Sequence, residues 1–484
     1  MTVVPAGRPS AGGIARTAAL ATMAVLLLSI VERSILAEPI RGLLGQLRLD
    51  PALFRAGVAV LSVLLTVLLA VAWRLRGTPL LAGAGRPRTL AYAALMVGYA
   101  LTVWLPPLVG GTTDTLTAYR IVLTIAVPLN IAGFCFLLPA LLRRADYELI
   151  FRVVTWGIVG FGVVSMVWVL LGQQAFFGIP LVEQPDDRGG RWAASGFFVQ
   201  RNTIGSFLVL VIPAAALIAL DDFRRGRLGR SVLTLAGLFV MLAWLLLTFS
   251  RSSQLAVAVS VAGAVLLLAT FGTPASAAAQ RAQRLVRWLT AAVLVVGLGL
   301  AITSPAWLPA VAPGLQAALV DGLHGRVMIW VDIWEKTADH RWIGTGLFEV
   351  QAVGPGGERY GEIYTPHNAY LAQLAYFGVP GLAALVLLLA VMIHEGWVGR
   401  GSRPSGFRSS GSPSSGSWPG LRAEDAILLG AIGGFLVQNL FEHILTYPVL
   451  FSNSLALILL GSWRARVPAS MVDGPDATGP ETIE

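Results

Sequence analysis

The chain has 484 residues, of which 56% are hydrophobic and only 13% charged, with a formal net charge of +9. Soluble domains carry about 25% charged residues, so this composition excludes an ordinary soluble globule and points to an integral membrane protein. The positive excess does not indicate nucleic acid, because the basic residues sit in short clusters between apolar runs, as loop charges do under the positive-inside rule.

Runs long enough to span a bilayer, at about 20 residues each, fall near 17–36, 56–73, 89–106, 119–142, 151–171, 204–220, 231–248, 254–271, 285–303, 369–392, 426–442 and 446–463. The spacing predicts an all-α fold of about twelve transmembrane helices, nine of them within residues 1–303 and three within 369–463. The first run has signal-peptide features, with Arg16 before it and small residues near Ala37, but reads better as an uncleaved helix. Arginines recur on alternate loops: Arg74, Arg76, Arg86 and Arg88; Arg143, Arg144 and Arg152; Arg224, Arg225, Arg227 and Arg230; Arg281, Arg284 and Arg287; Arg400, Arg403, Arg408 and Arg422; Arg464 and Arg466. That alternation predicts cytoplasmic N- and C-termini and places two long loops, 172–203 and 304–368, outside. Segment 401–420 is Ser/Gly/Pro-rich and reads as a cytoplasmic linker, while 464–484 reads as a disordered cytoplasmic tail. The lone cysteine, Cys135, lies in an apolar run and cannot form an intrachain disulfide.

Polar residues that carry chemistry collect on the outward loops. Arg251 stands in the short turn Thr248-Phe-Ser-Arg-Ser-Ser253 with no acidic neighbour in sequence, so its planar fork is disposed toward an anion such as phosphate. Arg188, Arg191, Arg201, Arg326, Lys336, Arg341 and Arg359 have a plainer reading, as ion pairs with acidic residues or contacts to lipid phosphates. His367 follows Pro366 at the edge of an apolar run, where it serves either as a helix-end hydrogen-bonding group or as a base titrating near neutral pH. His324, His340 and His443 lack metal-ligand spacing, and no metal site is predicted. Residues 326–337 have apolar positions at Val327, Ile329, Trp330, Ile333 and Trp334, the spacing of an amphipathic helix at the membrane interface, so the outer loop 304–368 is expected to be partly helical.

Ser250-Arg251-Ser252, Gly325-Arg326 with Trp330, the turn Gly344-Thr345-Gly346-Leu347-Phe348, and His367-Asn368-Ala369-Tyr370-Leu371 followed by Gly378 and Gly381 resemble the O-antigen ligase and O-antigen polymerase superfamily. Gly196-Phe197-Phe198 with Asn202 is similar to a further segment, although Gln200-Arg201 replaces the proline often found before that asparagine. The resemblance covers roughly residues 190–390; the earlier runs match in hydropathy alone. It implies a GT-C-like glycosyltransferase of the bacterial inner membrane, working at the periplasmic face without metal or cofactor and with inversion. Its donor would be a glycan on undecaprenyl diphosphate, and its acceptor a glycan or lipid A–core. Position by position it implies donor-diphosphate roles for Arg251 and Arg326 and a catalytic role for His367. Arg191, Arg201, Asn202, Arg341, Asn368 and Tyr370 are expected as possible substrate contacts.

Other classes predict different features. A lipid-linked glycan transporter would place charges at mid-membrane and show internal repeats. A metal-dependent enzyme would pair acidic residues in the first outward loop, where Glu32, Glu38 and Asp50 are scattered instead. Ligase, polymerase and protein oligosaccharyltransferase are not separated by these residues.

Overall fold

The computed structural model describes residues 64–71, 86–110, 127–142, 144–173, 175–176, 179–180, 193–196, 201–271, 329–345, 350–353, 359–364, 367–398, 422–442 and 455–459, with isolated positions such as Val182, Phe198 and Arg326. Among these are α1 (Arg86–Gly110), α2 (127–141), α3 (Arg144–Leu170), α4 (Arg201–Arg224), α5 (Leu228–Leu247), α6 (Arg251–Phe271), α7 (329–336), α8 (Ala369–Val398) and α9 (Ala423–Gln438). Five helices, Ala145–Leu170, Arg201–Arg224, Leu228–Leu247, Arg251–Phe271 and Ala369–Val391, are long and apolar enough to cross a membrane. They match five of the runs expected from hydropathy. The runs near 17–36, 285–303 and 446–463, the linker and the tail lie wholly or mostly outside the described residues.

The helices sort by environment. Helix α4 is buried along almost its whole length and forms the centre. By contrast α5 exposes Val232, Leu233, Leu235, Phe239 and Leu246, and α3 and α6 expose valines and leucines too. Apolar surface on that scale suits hydrocarbon as its solvent. Two short ribbons were not anticipated from the sequence: Ala175–Phe176 pairs antiparallel with Ile179–Pro180, and Val350–Val353 with Arg359–Tyr364. Both lie in the two long loops expected to face outward, so those loops are not purely helical or irregular.

Two contacts set the frame for the site. Helices α6 and α9 pack antiparallel through small residues: a Cβ on Gly430 would run into the Ser260 carbonyl and the Ala264 methyl, and one on Gly434 into the Ala256 carbonyl and Ser260. Small side chains let backbones approach closely where lipid supplies no hydrophobic drive. Helix α8 is broken at Gly378 (φ 68°, ψ −170°), a region only glycine enters readily. The turn 341–345 fills that break. Val379 N–H donates to the Arg341 carbonyl at 2.9 Å, and the Thr345 N–H and hydroxyl both donate to the Ala375 carbonyl at 2.9 Å. Gly344 (φ +87°) lies so close that a Cβ would sit 2.5 Å from the Tyr376 oxygen.

The polar groups collect at two ends. At one, Arg152 grips the buried Asp222 carboxylate with two 2.7 Å bonds, Arg225 pairs with Asp221 and Glu148, and Arg224 pairs with Glu424. The other holds Ser206, Gln438 and the residues described next. From Ser206 to Arg224, at about 1.5 Å per residue, is roughly 27 Å, close to the thickness of a bilayer's hydrocarbon core.

Candidate functional site

Helices α4, α6 and α8 all begin at the Ser206–Gln438 end. Gln438 Nε2 donates to the Ser206 hydroxyl at 2.9 Å and to the Ser253 hydroxyl at 3.0 Å, which fixes the starts of α4 and α6 against the end of α9. The start of α8 joins them through Ala369 N–H donating to the Asn439 carbonyl at 2.8 Å and the Tyr370 hydroxyl donating to the Leu436 carbonyl at 3.0 Å. Helix N-termini carry partial positive charge and attract anions.

Arg251 is the first residue of α6 and is exposed. A cation at that position works against the helix dipole, so helix stability does not account for it. The turn before it is held firmly: Ser250 donates to Asn202 Oδ1 at 3.0 Å and lies 2.9 Å from the Ser253 hydroxyl, while its N–H donates to Thr248 Oγ1 at 3.2 Å. Asn202 therefore acts on the Arg251 turn. Arg201 opens α4 at the same end.

Four residues beyond Gln438 lies Glu442, which sequence reasoning did not single out. Its carboxylate accepts from Arg326 Nη2 at 2.8 Å through Oε1, and its Oε2 stands 3.6 Å from His367 Nδ1. One acidic side chain thus gathers two residues 41 positions apart, the arginine and the histidine of the expected site. The side chains are graded in exposure: Glu442 10%, Arg326 23% and His367 36%, so the acid lies beneath and the histidine faces out. A signal for Glu442 was present in the sequence, since an acid closing an apolar run is costly unless it has a partner.

His367 has a left-handed backbone (φ 46°), as does Phe249 (φ 49°), two residues before Arg251. These are the two non-glycine residues with positive φ among the described residues. Such conformations cost of order 1 kcal/mol or more and persist where the surroundings over-determine them. Here the anchor is Asn368, whose Oδ1 accepts from the N–H groups of Tyr370 and Leu371 at 3.0 and 2.9 Å and caps α8.

The remaining expected contacts fall elsewhere or serve the frame. Arg341 stacks its guanidinium 3.8 Å from the centre of the Trp334 ring and donates to the Trp334 carbonyl at 2.8 Å, inside the turn that fills the α8 break. Trp330, expected on the apolar side of an interfacial helix, packs its ring 6.2 Å from Phe441, which holds α7 beside Glu442. Tyr370 ties α8 to α9. Arg191, Arg188, His324 and His443 lie outside the described residues. Among the described residues no group of three His, Cys, Asp or Glu side chains is disposed to hold a metal ion.

What the arrangement offers chemically is a cationic end with one imidazole, built where three helix N-termini meet. No curated protein matches the chain in a comparison of sequences. Residues 236–386, the stretch that carries Arg251, Arg326 and His367, match the family model described as O-antigen ligase, and this match supports the resemblance to the O-antigen ligase superfamily.

Proposed function

We propose that this multi-pass membrane protein is a glycosyltransferase of the ligase or polymerase type, moving a glycan from undecaprenyl diphosphate to an acceptor sugar at the periplasmic face of the inner membrane. The observation that carries this is the meeting of Arg326 and His367 on Glu442, at the end of the bundle where α6 presents Arg251. An acceptor hydroxyl attacks the anomeric carbon as His367 takes its proton. The bond from that carbon to the diphosphate oxygen breaks, and the electron pair leaves with the lipid diphosphate. Arg251 and Arg326 stabilise the charge that develops there, as fixed cations do best near a low-dielectric boundary. A single displacement of this kind inverts the anomeric centre and calls for neither metal nor covalent intermediate.

The ligase reading, with lipid A–core as acceptor, is favoured; the alternative is an O-antigen or exopolysaccharide polymerase using the same donor. A deletion strain separates them. Polymer left on the carrier lipid with bare core indicates a ligase, and single repeat units on core indicate an O-antigen polymerase. Loss of a secreted polymer alone indicates an exopolysaccharide polymerase. Alanine at Arg251, Arg326 or His367 abolishes glycan transfer at normal membrane abundance; near-full activity in all three refutes the assignment. Vesicle transport of the lipid-linked glycan, with no glycosidic bond formed, would favour a transporter.

A further inference from the structure

The 3.6 Å gap between Glu442 and His367 carries more than the site's composition. It is longer than a hydrogen bond, while the same carboxylate makes a 2.8 Å bond to Arg326. The buried acid is therefore shared unequally between two partners on different elements, α7 with its lead-in and the start of α8. Resting on the diphosphate reading above, we infer that Glu442 is a positioning residue that exchanges partners when the donor binds.

Without donor, Arg326 holds Glu442 and neutralises it. A donor diphosphate offers Arg326 a doubly charged partner with more acceptor oxygens, and the guanidinium turns to it. The released carboxylate stays at the bottom of the site, where an unpaired buried charge is costly. His367 Nδ1 is the donor 3.6 Å away, and closing that gap satisfies the carboxylate. An Nδ1–H donating to Glu442 leaves the Nε2 lone pair free for the acceptor hydroxyl. Donor occupancy and base orientation are then one event, and His367 is held in its working tautomer only when there is something to transfer. This exchange moves no covalent bond and needs no co-reactant.

The exchange makes an unusual prediction, because Glu442 competes with the donor for Arg326. Glu442→Gln should bind undecaprenyl diphosphate about tenfold more tightly, the scale of one charge-assisted hydrogen bond, in protein reconstituted into nanodiscs. The same variant should transfer glycan on the order of tenfold to a hundredfold more slowly, because the imidazole loses its orienting acid. A merely structural acid would weaken both. Glu442→Asp, which keeps the charge, should bind like the wild type and lose less turnover than the Gln variant. The affinity gain should vanish in Arg326→Ala/Glu442→Gln relative to Arg326→Ala. That double variant buries no unpaired charge, so it keeps the test open if Glu442→Gln does not accumulate.

Unchanged or weaker binding by Glu442→Gln, or a gain that survives without Arg326, overturns the exchange alone. Wild-type protein with no affinity for undecaprenyl diphosphate overturns the diphosphate reading and the exchange with it.

Discussion

Replacing Gly378 with alanine attacks the break in α8 and, through it, the distance between the two halves of the site. At φ 68° and ψ −170° alanine is strained, and its Cβ would lie 2.6 Å from the Trp342 oxygen, nearly an ångström inside ordinary contact. The chain has two ways out. It can keep the break and bear about 1–3 kcal/mol of backbone strain plus the cost of pushing the turn away. Alternatively it can close the break and expel the turn 341–345. That gives up the bond from Val379 to Arg341 and the two from Thr345 to Ala375, about 3 kcal/mol at roughly 1 kcal/mol each. Closing gains little, because Pro380 has no N–H and its ring crowds the preceding turn. Either route costs about 3 kcal/mol, so the ratio of docked to expelled turn falls about a hundredfold and the two forms become about equally populated. The turn leads from α7, beside Arg326, toward α8 and His367, so glycan transfer should fall about twofold when half the molecules have lost the docked turn. Limited proteolysis of membrane vesicles should show new cleavage near 341–345. Gly433→Ala is the control, since nothing lies within 4 Å of its would-be Cβ. Wild-type transfer and an unchanged digestion pattern in Gly378→Ala would refute the coupling of this break to the site.

Three further outcomes follow from the geometry. Asn368→Ala removes the α8 cap and should lower stability by about 1 kcal/mol, while Asn368→Asp or Asn368→Ser keeps it; thermal unfolding in detergent measures the difference. Asp222→Asn leaves Arg152 without its carboxylate and should destabilise by about 3–5 kcal/mol, whereas Arg152→Met/Asp222→Leu recovers most of that loss in the same assay. Transfer by the purified protein should persist in excess chelator; loss that magnesium or manganese restores would refute metal-free chemistry.

Several features were legible without coordinates because they depend on local chemistry. The apolar runs that became α3, α4, α5, α6 and α8 could be read from length alone, since a bilayer sets the number of residues a helix needs. Arg251 stood out because it interrupts two such runs with only hydroxyl neighbours. His367-Asn368-Ala369 read as the entry to a helix, and the asparagine caps it. Gly344 and Gly378 were visible only as motif letters; their fit, one into the other, needed both segments in place.

Composition and order along the chain determined the solvent this protein folds in, the positions of its spanning helices and the residue types at its polar ends, because hydropathy and charge act over a few neighbouring residues. The antiparallel seating of α9 on α6 was decided by tertiary structure, and with it the arrival of Gln438 at Ser253 and of Glu442 between Arg326 and His367. Partners separated by scores of residues leave no period in a sequence, and a single buried acid declares its role only when the cations around it are in place.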